Sequence, residues 1–416
     1  MSNMVKRIIS FVTGLSVMAS LVIAPVAVNA AEPTTKQVKN VIILIPDGMS
    51  VGGTTLARWY QGGTPLAMDE LASGLVRTYW AAGAITDSAP AATAFATGFK
   101  SSNKFIGVNA EKANMPGVAA IKPEDVKRPL ATTLEAAKLK GKATGLISTS
   151  EITHATPSGF AAHYPARSEE EIIGEQMLYN NVDVILSAGT DFFSGAKRKD
   201  KEDLIQVIKD KGYNYVTTPA EMQNSTSSKL WGFFDPRAMA YDFDRDSNKE
   251  PSLAEMTKKA IDVLSKDQDG FFLMIEGSKV DWAAHANDPI GVISDVLAFD
   301  AAFKVALDFA KKDNNTMILI ATDHGNGGIS IGSSSTDKTY DNAPLSIFID
   351  QLKKAKLTGE GVEKKLNADK SNIKEVMAEY YGITDLTDEE VAAIASTKWK
   401  RHRKSKPEWL PTLSFG

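Results

Sequence analysis

Short apolar runs alternate with amphipathic stretches along the chain. "NVIILIPDG" is apolar on both faces and predicts a buried strand. "ATTLEAAKLKGKATGLISTS" predicts a helix, a glycine turn and a second strand, and "VDVILSAG" a third. "SLAEMTKKAIDVL" has helical spacing and runs into "GFFLMIEG", a fourth strand. "VISDVLAFDAAFKVALDFAKK" is a long amphipathic helix leading into "TMILIATDHG", a fifth. Strands buried on both faces and alternating with helices predict an α/β fold. Its centre is a mostly parallel sheet with helices on both faces.

The rhythm breaks over 325–397. A polar, Gly/Ser-rich loop, "GNGGISIGSSSTDKT", opens this segment, and "SNIKEVMAEYYG" and "TDEEVAAIAS" have helical spacing. It reads as a capping insertion inside one α/β domain spanning 31–397. Before that domain, "MSNMVKRIISFVTGLSVMASLVIAPVAVNA" places Lys6 and Arg7 ahead of an apolar run that ends in small residues. That is the pattern of a secretory signal peptide over 1–30, with Val28 and Ala30 at the cleavage site; the alternative is a membrane anchor that stays in place. No later apolar run reaches the roughly 20 residues a spanning helix needs.

The 416-residue chain carries a formal net charge of −4, which argues against nucleic-acid binding. It has no cysteine. A chain this long buries a sufficient core without disulfides, and any metal site must use His, Asp, Glu or hydroxyl ligands.

Such residues recur where strands end. "VIILIP" ends at Asp47, "FFLMI" at Glu276, and "MILIAT" at Asp323 and His324. "GLISTS" runs into "EITHAT", with His154 and Thr156. In open α/β sheets ligands bind beyond the carboxyl ends of the strands. A lone Asp-Gly is a common turn, whereas several such ends on one sheet edge suggest a site. Asp281 and His285 are four apart, share one helix face, and suit zinc. Asp323 and His324 would point oppositely within a strand, but both can turn to one metal where the chain enters a Gly-rich loop.

"TDSAPAATAF" has helical composition, and Pro90 fits only a first turn. Ser88 then lies at a helix N-terminus. There it is either a cap or a nucleophile beside an anion-binding end.

The ordered blocks resemble the alkaline phosphatases, zinc- and magnesium-dependent phosphomonoesterases. They are "NVIILIPDGM", "TDSAPAATAFATG", "THATPSGFAAHYPAR", "KLWGFFDPRAMAYDFDRD", "MIEGSKVDWAAHAND" and "IATDHGNGG", collinear from about Lys39 to Gly328. The resemblance implies that Ser88 is the phosphorylated nucleophile and that Arg167 clamps phosphate. It implies one zinc held by Asp47, Asp323 and His324, a second by Asp281 and His285, and magnesium by Asp47, Thr156 and Glu276. His154 stands where the best-known bacterial form has an Asp near the magnesium, and Trp282 where it has a Lys. A neutral imidazole there shifts preference toward a transition metal. The resemblance further implies phosphate monoester substrates and export to the periplasm or medium, and it is compatible with a homodimer.

The ending departs from the family, which closes with a Gly-His-Thr-Gly block whose His completes the second zinc site. Here the last of five His is His402, inside the basic tail "KWKRHRKSKPEWLPTLSFG". An altered reading frame near Lys398, substitution by His402, or a natural variant with an incomplete site each account for it. Two rival readings accompany the phosphatase. One is a phosphodiesterase or sulfatase, and the other an exported phosphate- or metal-binding protein with impaired turnover.

Overall fold

The computed structural model describes residues 38–396. The expected signal segment over 1–30 and the tail 398–416, with His402, lie outside the described residues. Seven strands form one sheet: β1 (Asn40–Pro46), β2 (Ala143–Glu151), β3 (Val184–Ala188), β4 (Asn214–Val216), β5 (Leu230–Phe233), β6 (Phe271–Gly277) and β7 (Thr316–Ile320). Their order is β4-β5-β3-β2-β6-β1-β7, and every pairing is parallel.

β1 shows why its sequence is apolar without alternation. Ile42 and Leu44 enter one core, while Ile43 and Ile45 enter the other. The first core is closed by the helices Leu253–Leu264 and Pro289–Asp313. The second is closed by Ser88–Thr97, Ala155–Ala161 and Glu170–Tyr179. Each fully buried Ile or Leu contributes about 1.5–3 kcal/mol of apolar transfer. A charge at Leu44 would be stranded in that core, so the strand tolerates no polar member there.

The long helix has clear start and stop signals. Asp288 caps it by accepting from the N–H groups of Ile290 and Gly291, each at 3.0 Å, and Pro289 occupies the first turn. Asn314, at φ 59°, ends it in the left-handed region.

Two expectations need correction. β7 is not buried on both faces: Met317 and Leu319 are 42% and 43% exposed, while Ile318 and Ile320 pack inward. It lies at the sheet edge and is covered on one side only. β4 and β5 were not foreseen. At three and four residues they are too short for periodicity to register.

Beyond β7 the chain forms short helices at Leu345–Ile349, Gly359–Glu363, Ile373–Tyr381 and Asp388–Ser396. Ile349 and Ala355 pack on Leu56, Ile290 and Ile293, while Val362, Ile373, Val376 and Met377 form a small core of their own. No helix among the described residues is long and apolar enough to cross a membrane.

Candidate metal centre and active site

An all-parallel sheet brings every strand's carboxyl end to one edge. β2, β6, β1 and β7 are consecutive there. Glu276 stands opposite Ile45 of β1 and Ser148 of β2 in the register. Asp47 follows β1 directly, and Asp323 lies three residues past β7. His154 precedes the helix Ala155–Ala161, with Thr156 in its first turn.

These residues converge on two cation-sized clusters. Asp47, Asp323 and His324 form one, and Asp47, His154 and Glu276 the other; in each, the ligand atoms lie within 4.8 Å of one another. Asp47 belongs to both and is fully buried. The spacings suit a shared ion better than direct bonds. His324 Nε2 is 3.6 Å from Asp47 Oδ1 and 3.4 Å from Asp323 Oδ2. His154 Nδ1 is 3.6 Å from Glu276 Oε1. All three of Asp323 Oδ2, His154 Nδ1 and Glu276 Oε1 are buried without a hydrogen-bond partner. Buried polar atoms are ordinarily satisfied, so unpartnered ligand atoms turned toward one another fit a bound cation.

The electrostatics agree. Burial, then the carboxylates of Asp323, Asp281 and Glu276, push Asp47 well above the usual carboxylate range. Burial likewise raises Asp323. Burial also opposes ionisation of Glu276, but His154 and serine hydroxyls outweigh it and hold this carboxyl low. Three serines surround its second oxygen. Ser148 Oγ donates to Glu276 Oε2 at 2.6 Å, and Ser150 Oγ lies at 3.4 Å. Ser278 Oγ bonds Ser148 Oγ at 2.9 Å.

Ser88 opens the helix Ser88–Thr97 but does not cap it. The cap is Asp87, whose Oδ1 accepts from Ala89 N–H at 2.7 Å. A carboxylate takes the capping bond, so the serine hydroxyl is left for the site. Ser88 Oγ lies 3.5 Å from Asp47 Oδ1 and 3.3 Å from His324 Nε2, and is almost fully buried. Thr156 Oγ1 reaches Asp47 Oδ2 at 3.4 Å. Arg167 Nη2 stands 2.9 Å from His154 Nε2, and its Nη1 3.8 Å from Asp87 Oδ1.

Asp281 and His285 share the helix Lys279–His285, with Asp281 Oδ2 and His285 Nε2 3.5 Å apart. Among the described residues no third His, Asp or Glu joins them in a cluster. Asp281 Oδ1 instead accepts from Asn326 Nδ2 at 2.8 Å. The turn at Gly48 abuts the same carboxylate. At φ +65° a Cβ there would lie 2.5 Å from Asp281 Oδ1, and Gly48 N–H donates to Asp323 Oδ1 at 3.0 Å.

Sequence reasoning gave no role to Asp87, Asn326 or the three serines. For Asp87 a signal was present, since Asp is a preferred cap. For Asn326 and the serines only the fold brings the partners together.

Comparison with known proteins follows the same line. The alkaline phosphatase family model matches residues 38–402. Alkaline phosphatase 4 of Bacillus subtilis is 36% identical over 384 residues, covering 88% of this chain and 76% of the relative. The alkaline phosphatase of Escherichia coli is 31% identical, covering 70% of each. The crystal structure of the Thermus thermophilus alkaline phosphatase superposes with a TM-score of 0.76 at 31% identity, covering 87% of this chain and 74% of that one. A variant of the TAB5 alkaline phosphatase, solved with magnesium in its M3 site, gives 0.61 at 32% identity, covering 72% and 81%. Fold and relatives together define a phosphatase acting on phosphate monoesters. The chain belongs to the alkaline phosphatase family.

Proposed function

We propose that this chain hydrolyses phosphate monoesters through a phosphoserine on Ser88, at a site for two zinc ions and one magnesium. The observation that carries the reading is the position of Ser88 Oγ. It is buried at a helix N-terminus, 3.5 Å from Asp47 and 3.3 Å from His324. Asp47, Asp323 and His324 would hold the first zinc, and Asp281 and His285 the second. Asp47, Thr156, Glu276 and His154 would hold the magnesium. The unpartnered atoms of Asp323, His154 and Glu276 support that donor set. Bound cations would lower the serine pKa and offset charge on the phosphate and the leaving oxygen.

The protein's own groups do the rest. Arg167 presents a planar fork to two phosphate oxygens and fixes the phosphorus above Ser88. Ser88 Oγ attacks phosphorus in line with the ester oxygen, and the P–O ester bond breaks to release the alcohol. Water then attacks the phosphoserine, releasing inorganic phosphate and restoring the hydroxyl. Asp87 ties the Ser88 helix to the Arg167 side of the site. The amino-terminal signature supports export.

Ser88→Ala tests the reading. Phosphate release from an aryl phosphate at alkaline pH, with zinc and magnesium present, should vanish. Release unchanged by the substitution would refute it. Comparing a monoester, a diester and a sulfate ester separates the phosphodiesterase and sulfatase alternatives. A second reading, impaired turnover, is favoured by the two-residue Asp281–His285 pair.

A further inference from the structure

His163 lies outside both metal clusters and no step above uses it. Each of its hydrogen-bonding groups is nevertheless occupied. Ring Nδ1 is 2.7 Å from the Gly107 carbonyl, and ring Nε2 is 2.9 Å from Glu135 Oε1. Its backbone N–H donates to Gln176 Oε1 at 2.7 Å, and its carbonyl accepts from Gln176 Nε2 at 3.3 Å. A carbonyl and a carboxylate both accept only, so both ring nitrogens donate and the ring is an imidazolium.

The partners are themselves fixed. Glu135 completes the capping box of the helix Thr133–Leu139: its Oε2 accepts from Thr132 N–H at 2.9 Å. Thr132 Oγ1 in turn donates to the Phe160 carbonyl at 2.7 Å. Gly107 N–H donates to Thr93 Oγ1, within the Ser88 helix, at 3.0 Å. Gly107 has φ +58°, and a Cβ there would collide with the Ala162 carbonyl and lie 2.8 Å from His163 Nδ1. Only glycine permits this approach.

From this anchor a short antiparallel ladder runs to the site. Ile106 and Tyr164 exchange both backbone bonds, at 2.9 and 2.8 Å. Arg167 N–H then donates to the Lys104 carbonyl at 2.8 Å. Lys104 N–H donates to Asp87 Oδ2 at 3.2 Å, one residue before Ser88. The segment carrying Arg167 is thus pinned at one end by His163 and at the other by Lys104 and Asp87.

We propose that His163, held as a cation between Glu135 and Gly107, is a positioning residue that sets the Arg167 segment for phosphate binding. The proposal rests on Arg167 being the phosphate clamp. Clamp geometry depends on sub-ångström placement, so loosening the anchor acts on phosphate affinity before it acts on bond breaking.

The test uses the full chain with zinc and magnesium. Inorganic phosphate Kd is measured by calorimetry for the parent, His163→Gln, Glu135→Gln and Arg167→Ala. Metal content, Tm and amide exchange at Tyr164 and Arg167 are followed alongside. His163→Gln should weaken phosphate roughly tenfold, as losing a charge-assisted bond does, with metal content unchanged. It should also raise KM far more than it lowers kcat and speed exchange at Tyr164 and Arg167. Glu135→Gln, whose single amide oxygen cannot serve both the His163 ring and the Thr132 N–H, should weaken phosphate in the same direction as His163→Gln. Unchanged phosphate Kd and exchange in His163→Gln, with Arg167→Ala weakened, overturns the positioning role alone. Unchanged Kd in both variants overturns the clamp reading beneath it. Should His163→Gln fail to fold, Gln176→Ala, which removes both bonds to the His163 backbone, loosens the same segment and carries the same two outcomes.

Discussion

Ser88 Oγ and Asp47 Oδ1 are 3.5 Å apart although 41 residues separate them in sequence. The end of β1 delivers the carboxylate and the first turn of the helix Ser88–Thr97 delivers the hydroxyl. Asp47 also faces Thr156, His324 and the Glu276 cluster, so a single side chain belongs to both candidate metal clusters. Asp47→Asn keeps the shape and removes the charge. It should cost metal at both clusters together and lower turnover by about 10³-fold or more, since metal-borne charge stabilisation is worth several kcal/mol. Metal analysis and kcat on the purified variant check this; loss of one metal alone would show that the clusters are independent.

The serine cage around Glu276 makes a graded prediction. Ser148→Ala removes the 2.6 Å donor to Glu276 Oε2 and leaves that oxygen to Ser150. Groups that orient a metal ligand are typically worth 10–100-fold in metal affinity or activity. The variant should therefore need about 10–100-fold more magnesium for half-maximal activity, read from a magnesium titration, with Tm nearly unchanged.

The second zinc site should be weak. Asp281 and His285 form a pair with no third ligand among the described residues, and His285 is 54% exposed in its side chain. After dialysis, fewer than two zinc ions per chain should remain. Two tightly retained ions would contradict this and point to a ligand outside residues 38–396.

Metal removal should destabilise the fold. Without cations, buried Asp47 and Asp323 stand beside Asp281 and Glu276 with little compensation. Chelation at neutral pH should lower Tm, and adding zinc with magnesium should restore it. An apo protein as stable as the loaded one would mean that the acidic residues are compensated by other groups.

Asp295 gives a pH prediction away from the metals. Burial, then Asp242, pushes its carboxyl up to about 8. Its folded pKa exceeds the unfolded value of about 3.9, so the folded state holds the extra proton between those limits. Stability from this residue therefore falls as pH rises from about 4 to about 8, and levels off above. Asp295→Asn should remove the decline: its Tm advantage over the parent should grow from pH 5 to pH 8.

How much of this could be read from the chain follows from the reach of each signal. The five longer strands announce themselves as apolar runs between helical stretches, and the polar ends Asp47, Glu276 and Asp323 mark the carboxyl edge. The i, i+4 spacing of Asp281 and His285 survives as a real 3.5 Å pair. β4 and β5 stay invisible because three or four residues hold no period, and they are specified by their neighbours in the sheet. The one-sided burial of β7 needs the strand order, which no local pattern encodes. The links Asp281–Asn326 and His163–Glu135 join distant segments, so only the assembled fold shows them. Ser88 illustrates the reverse case: its helix-start position was legible, but the neighbouring Asp87 takes the capping bond that composition alone would give to either residue.

The central claim is that Ser88 carries the phosphoryl group. The most direct measurement is mass spectrometry of the zinc- and magnesium-loaded protein, quenched in acid during turnover of an aryl phosphate and digested. The account predicts one added phosphate on the peptide containing Ser88, absent in Ser88→Ala. Turnover with no phosphate on that peptide, or with phosphate on another residue, would contradict it.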